Sequence, residues 1–310
     1  MAFLKAFGAW LPARRVSNEE IAARVGCDAA WIRTVSGIEE RRFAGDEETV
    51  AQMAVNAARD CLDRAGGVAA SGLGMILVSS GSAERRFPGP AASVAHGLGL
   101  AGVPAIDLPI ASAGSLFGLA LAAQLTPAYG NVLVVASEKM SPLALREPVD
   151  RNVAVLFGDG AGACLVAPGD GAGRIVDSAL YSDGAFAADL ELAFDQPIRM
   201  NGLSVILQAS RKLPRAIADL LAANGRTAAE VDAFLLHQAN RNLLVKLAQA
   251  LQAPESRFPS NIARYGNTSS ASLLIVAAEW SASAGFRSGV PVVMAAFGAG
   301  FHWGAILVEG

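Results

Sequence analysis

Apolar and polar positions along this chain follow two registers, and the register changes from segment to segment. Apolar residues recur at helical spacing in "DEETVAQMAVNAARDCLDRAG" (46–66) and "ASRKLPRAIADLLAANG" (209–225), which predicts amphipathic helices there. Short apolar runs bounded by turn residues, "LGMILVSSG" (73–81) and "VDAFLLHQA" (231–239), predict buried strands. The opening "MAFLKAFGAWLPARRV" holds a lysine within a short apolar run that Pro12 interrupts, and reads as a first strand rather than a signal peptide. Strand and helix in alternation imply an α/β fold with mainly parallel sheet.

No charged residue occurs from Leu108 to Ser137. Pro109, Pro127, Gly130 and Asn131 divide this run into a strand, a helix near "SLFGLALAAQL", a turn at "TPAYGN" and a strand "VLVVAS", so no uninterrupted apolar span of about 20 residues is left to cross a membrane. A helix apolar on every side must be covered on every side, which places this one between two sheets. The strand "NVLVVAS" is expected to pair with its copy across the twofold axis of a homodimer, since this region would otherwise expose an apolar edge.

The pattern occurs twice. "NTSSASLLIVAAEW" (267–280) is a second helix with few charges, and "GVPVVMAAFGAG" (289–300) supplies the strand after it. "VLFGDGAGACLV" follows the first helix and "AAFGAGFHWGAILV" the second, roughly 140 residues further on, far beyond the period of about 20 to 50 residues of a solenoid. The glycine-rich "APGDGAGRI" reads as the join of a duplication, with halves at 1–168 and 174–310. Two α/β halves with one buried helix each give a five-layer α/β/α/β/α sandwich.

Composition narrows the chemistry. With 310 residues, 53% of them hydrophobic, the chain can bury a large core, and a net charge of −3 without long runs of one sign gives no footprint for nucleic acid. Cys27, Cys61 and Cys164 at unrelated spacings fit a reduced, cytoplasmic setting and small apolar filling roles. His96, His237 and His302 have no second ligand at helical spacing, so no metal site is expected. "FGDGAG" (157–162) lacks the lysine and helix of a phosphate loop and is expected to be a tight turn. "RRFAGDEET" reads as a loop before an acidic helix start, and Arg85–Arg86 as a solvated loop.

In "DLPIASAGSLFG" (107–118) a strand runs through small residues into the uncharged helix, with Ser112 at the junction. Unpaired N–H groups and the positive end of the helix dipole suit a nucleophile or an anion there. A serine at that junction is also a preferred N-cap, and the stretch alone leaves both readings open.

Seven segments in order, "WIRTVSGIEERR", "FPGPAASVAHGLGL", "AIDLPIASAGS", "DRNVAVLFGDGAGACLV", "LLHQANRNLL", "NIARYGNTSSAS" and "FGAGFHWGAILV", resemble the β-ketoacyl-acyl-carrier-protein synthase III family of the thiolase superfamily. The resemblance implies a thiolase-like duplicated sandwich and a homodimeric acyltransferase. Such an enzyme takes an acyl group from acyl-CoA, a substrate and not a cofactor, and condenses it with a malonyl thioester, possible carriers of which include malonyl-acyl carrier protein. By the same resemblance Ser112 stands where the family has its nucleophilic cysteine. His237 and Asn267 complete the catalytic set, expected at two strand-to-helix junctions, and the N–H groups of Ser112 and Ala299 form the oxyanion hole. Trp31 and Arg151 would sandwich the adenine, Phe157 and Asn240 would line the pantetheine tunnel and acyl pocket, and Phe87 would close the partner's acyl pocket.

Departures from the family pattern touch the partner. Val35 and Asn242 occupy basic positions, and Leu207 and Gln249 stand where lysines meet the carrier protein, with Arg211, Lys212, Arg215 and Lys246 as a shifted patch. A serine needs a base beside it where a cysteine does not, so His237 would have to serve. It is either a natural variant or a replaced cysteine. Three functions follow: decarboxylative condensation, which leads because His237 and Asn267 are both present; a non-decarboxylating acyltransferase or thioesterase working through a serine ester; or a catalytically silent partner subunit.

Overall fold

A computed structural model describes all 310 residues. The nine long-range strands are β1 (Ala2–Trp10), β2 (Leu73–Ser79), β3 (Ala105–Leu108), β4 (Asn131–Glu138), β5 (Gly160–Pro168), β6 (Gly173–Ser182), β7 (Ala233–Leu236), β8 (Pro291–Gly298) and β9 (His302–Glu309). The helices that matter here are α1 (Ala29–Ser36), α2 (Val50–Arg64), α3 (Pro90–Gly97), α4 (Gly114–Tyr129), α5 (Gly202–Ala223), α6 (Arg241–Ala250) and α7 (Ser272–Ser283).

The strand order is β7-β8-β9-β6-β1-β5-β4-β2-β3. In the first half β2 runs parallel to β4, while β4–β5 and β5–β1 are antiparallel. The second half repeats this, with β7 parallel to β8 and with β8–β9 and β9–β6 antiparallel. Only the counterpart of β3 is missing. The two sheets join at a short antiparallel contact in which Phe3 faces Arg174 and Leu4 faces Gly173.

Helices α2 and α3 cover the outer face of the first sheet, and α5 and α6 the outer face of the second. Between the sheets lie α4 and α7, each touching strands of both halves. The largest buried apolar cluster, of 30 residues, fills this central layer, so the core is shared by the two halves. The five-layer thiolase-like sandwich expected from the duplicated pattern is the fold observed.

Five expectations are corrected. The sheet is not mainly parallel: of its eight strand pairings only β3–β2, β2–β4 and β7–β8 are parallel, because short connections such as that from β8 to β9 return the chain antiparallel. Strand β4 lies inside the sheet between β5 and β2, and the free edge is β3. Both strands are mainly apolar, and the pattern alone did not show which of them was outermost. Helix α4 runs on through Pro127 to Tyr129 and turns only at Gly130. Pro127 removes one helical donor, the N–H that would reach the Ala123 carbonyl, only two residues before the helix ends. Leu121 of α4 stays 41% exposed, so cover is complete only on the sides that face the sheets. Finally, "RRF" belongs to a strand, Glu40–Phe43, with Arg41 fully buried, and α2 has no acidic residue in its first turn. The Arg41 guanidinium is held by Asn18 Oδ1 and the Val155 carbonyl, both at 2.9 Å, and burial pulls it down to about 10.

No helix is long and apolar enough to cross a membrane.

Candidate active site

Ser112 lies in the turn between β3 and α4, but it does not cap the helix. The N-cap position is Ala113, without a side-chain cap, and Ser112 itself has φ 62°, in the left-handed region. A non-glycine residue costs free energy there and persists only where its surroundings hold it. Two contacts do so. Its N–H donates to Ser269 Oγ at 3.1 Å. Behind it stands Gly298, at the end of β8, where an added Cβ would lie 2.2 Å from the Ala111 carbonyl oxygen and 3.0 Å from Ser112 Cβ. Only glycine lets β8 approach this turn so closely.

His237 follows directly on β7, at the expected strand-to-helix junction. Its Nδ1 sits 2.5 Å from Ser272 Oγ, and that hydroxyl accepts the Gln238 N–H at 3.0 Å. Burial pushes the imidazole down to about 4, against a smaller opposite pull from the Ser269 backbone, so the ring is neutral near pH 7.

Asn267 departs from expectation. It follows a short helix, Ile262–Tyr265, and is fixed by a single parallel bridge to Phe157. Its N–H donates to the Leu156 carbonyl at 2.9 Å, and its own carbonyl accepts from Gly158 N–H at 3.1 Å. The "FGDGAG" segment is not the expected tight turn: Phe157 bridges to Asn267 and residues from Gly160 onward enter β5, so this bridge and the start of the strand hold Asn267 in place. Asn267 Oδ1 accepts from Ser269 N–H at 2.8 Å, which turns the amide nitrogen Nδ2 away from that contact. Between the bridge and β5, Asp159 is buried and accepts from Ala44 N–H, Ser141 N–H and Ser141 Oγ, and burial raises its carboxyl against those bonds.

Ser112, His237, Asn267, Phe157 and Asn240 all line one mainly apolar cleft of about 100 Å³, bounded also by Leu213, Leu243 and Phe297. Asn240 is less free than expected. Its Oδ1 accepts from Asn242 N–H at 2.8 Å and its Nδ2 donates to the Val35 carbonyl at 2.8 Å, while Asn242 Nδ2 donates to the Thr34 carbonyl at 3.1 Å. The two asparagines latch α6 to the end of α1. Trp31 and Arg151 form a separate pair, with the guanidinium 5.6 Å from the indole centroid. Ala299 follows Gly298 without lining the cleft. Phe87 is 86% exposed, and next to it Arg86 stacks 3.9 Å over Phe194. Lys212 drops out of the expected cationic patch, since it is bonded to Asp183 at 2.6 Å and covered by Phe186 and Trp303. Arg211, Arg215 and Lys246 remain exposed.

Sequence reading missed Glu138, Ser269, Ser272 and Gly298. The "TSSAS" run after Asn267 was the one visible signal for the serines, and it reads equally well as helix capping.

A duplicated α/β sandwich with a serine at one central helix and a neutral histidine and an asparagine beside the other defines a thiolase-fold condensing acyltransferase. The family model described as 3-oxoacyl-[acyl-carrier-protein (ACP)] synthase III matches residues 106–184, and its C-terminal companion matches residues 221–309. A β-ketoacyl-[acyl-carrier-protein] synthase III of Geobacillus kaustophilus is 36% identical over 304 residues, covering 97% of this chain and 96% of its own. The chain belongs to the 3-oxoacyl-[acyl-carrier-protein] synthase III family. The crystal structure of the Aquifex aeolicus synthase III superimposes with a TM-score of 0.95 at 32% identity, covering 100% of both chains. The priming β-ketosynthase of the R1128 polyketide pathway gives 0.92 at 31% identity, covering 100% of this chain and 96% of its own.

Proposed function

We propose that this chain starts a fatty-acid or polyketide chain by taking an acyl group from acyl-CoA onto Ser112 and condensing it with a malonyl thioester by decarboxylation. The observation that carries the reading is the convergence of Ser112, His237 and Asn267 on one apolar cleft from the two halves of the duplication. Residues 1–168 supply the acyl acceptor and residues 174–310 the groups for decarboxylation. Trp31 and Arg151 would take the adenine between them at the mouth, and Phe157 and Asn240 would flank the pantetheine arm.

In the first step Ser112 Oγ attacks the thioester carbonyl and its proton passes to His237 Nε2. The N–H groups of Ser112 and, beside Gly298, Ala299 would take the developing oxyanion. The C–S bond then breaks, the proton goes to the departing thiolate, and an ester remains on Ser112. In the second step the malonyl group loses carbon dioxide, and the electron pair left behind delocalises onto the thioester oxygen, where His237 and Asn267 N–H groups stabilise it. The carbanion attacks the Ser112 ester, the C–O bond breaks, and the serine alkoxide takes a proton from solvent. Ser272 Oγ, which can accept from Nδ1–H or donate to Nδ1, allows the imidazole either tautomer these steps need.

A neutral histidine held near 4 is a weak base for a hydroxyl but a sound hydrogen-bond donor, which suits it to stabilising the enolate of the decarboxylation step more than to activating Ser112. The reading includes a homodimer formed along β3, whose outer edge is unpaired and carries the 44% exposed Ile106, while Leu121 and Tyr129 of α4 are also exposed. Malonyl-acyl carrier protein is the proposed second substrate, with Arg211, Arg215 and Lys246 as the cations that would meet it. Incubation with a short acyl-CoA, intact-mass measurement and peptide mapping test the first step. One acyl mass on the peptide containing Ser112 is expected, and its absence refutes the serine ester.

A further inference from the structure

Glu138, the last residue of β4, is a carboxylate with no exposed surface, and no lysine or arginine pairs with it. Its charge is held by donors from both halves of the molecule. From the first half come Ser82 Oγ at 2.6 Å, Gly81 N–H at 3.0 Å and Ser80 Oγ at 3.3 Å, and from the second Ser270 Oγ at 2.6 Å, Ser269 Oγ at 2.9 Å and Ser270 N–H at 3.2 Å. A buried charge without a counterion needs such a shell, and every member of the shell is pinned by it in return.

The consequence runs through Ser269. Its single hydroxyl hydrogen goes to Glu138, so the lone pairs of that oxygen are left to accept the Ser112 N–H at 3.1 Å. Its own N–H bonds Asn267 Oδ1 at 2.8 Å and thereby aims the Asn267 amide. Ser269, with φ 46°, is held in the left-handed region like Ser112. One carboxylate thus braces two unfavourable backbone conformations and one side chain of the trio.

We propose that Glu138 is a positioning residue that acts through Ser269, setting Ser112 from one half and Asn267 from the other in a single geometry. It touches no substrate. The inference rests on the roles given above to Ser112 and Asn267.

The test compares Glu138→Gln, Glu138→Asp, Ser269→Ala and the double variant Glu138→Gln/Ser269→Ala, each checked for folding by thermal unfolding. Carbon dioxide release from malonyl-CoA and acyl labelling from acyl-CoA are measured separately. Glu138→Gln and Ser269→Ala should each lower kcat by roughly tenfold or more, the scale of a misplaced reacting group, with KM unchanged. Glu138→Asp should be intermediate. The double variant should lose no more than the worse single, because the two residues act in series. A folded Glu138→Gln with wild-type kcat, a change in KM alone, or losses that multiply in the double variant would overturn the proposal. If Glu138→Gln does not fold, Ser269→Ala decides by the same kcat and KM criteria. A wild type that releases carbon dioxide but forms no ester refutes the role of Ser112 while the decarboxylation arm still reads Glu138; a wild type with neither reaction refutes both.

Discussion

The N–H of Ser112 donates to the hydroxyl of Ser269 across 3.1 Å of space and 157 residues of chain. The same N–H is the proposed oxyanion donor. An acyl oxygen arriving at Ser112 would share this donor with Ser269, whose contact also holds Ser112 in place.

Acylation should be slow at Ser112, whose hydroxyl needs a base, and fast in Ser112→Cys, where the helix terminus favours a thiolate without help from a base. His237→Ala should slow labelling of the serine form strongly and of the cysteine form much less. The native thiols give a clean background. Cys61 is pushed up to about 12 and Cys164 well above its ordinary value, both by burial, so alkylation of the folded protein should modify at most Cys27. A Ser112→Cys protein that labels no faster than the wild type would contradict this account.

The pH dependence follows from His237. With its imidazole near 4, decarboxylation should show no inflection close to the ordinary histidine value of about 6.5, and should fall only as the pH approaches 4. Stability carries the same signature. The unfolded chain takes up the proton as pH drops below about 6.5 and the native state only near 4, so stability is lost across that window, by about 3 kcal/mol. Urea midpoints at pH 7 and pH 4.5, for the wild type and for His237→Asn, measure the difference. An equal loss in both proteins would show that the histidine is not the source.

Much of this was legible in the chain, for reasons that particular residues make plain. Helix α4 announces its place between sheets because every one of its faces is uncharged, and the α4–α7 duplication is visible because both helices carry the same unusual composition. Ser112, His237 and Asn267 could be singled out because each sits in an ordered motif. The N-cap alternative for Ser112 fell only when its φ was known. Glu138 was not readable, since a glutamate at the end of an apolar strand looks solvated until serines from positions 80, 82, 269 and 270 are folded around it. The choice between β3 and β4 as sheet edge depends on strand order, which pattern alone does not encode.

The free β3 edge leads to a prediction about assembly. Ile106→Arg should keep the protomer folded, because the side chain is 44% exposed, while placing like charges opposite each other across a twofold β3 pairing. Sedimentation at micromolar concentration should show the wild type as a dimer and the variant shifted toward monomer. A monomeric wild type would remove the dimer from the proposed function.

At the mouth, Trp31→Ala should weaken acyl-CoA binding by roughly 1 kcal/mol, the scale of one aromatic or cation–π contact. Titration calorimetry with the intact thioester measures it. Affinity for a pantetheine thioester lacking the nucleotide should not change, because Trp31 and Arg151 form a pair separate from the cleft. Equal losses for both ligands would place the nucleotide elsewhere.

The last prediction concerns Gly298, the neighbour that lets the second half reach Ser112. A Cβ there would lie 2.2 Å from the Ala111 carbonyl oxygen and 2.8 Å from the Ala113 nitrogen, both backbone atoms that cannot swing aside like a flexible side chain. Gly298→Ala must therefore move either β8 or the turn that carries Ser112. Strand β8 is buried along its whole length and paired on both sides, by β7 and β9, whereas the turn already holds Ser112 at an unfavourable φ. The turn is the softer of the two and should yield. The variant should lose about 1 to 3 kcal/mol of stability, the usual cost of overpacking. It should also lose acyl labelling of residue 112 far more than it loses decarboxylation, because His237 and Asn267 sit on other segments. Equal losses in both reactions would mean that β8 moves instead and carries the whole second half of the site with it.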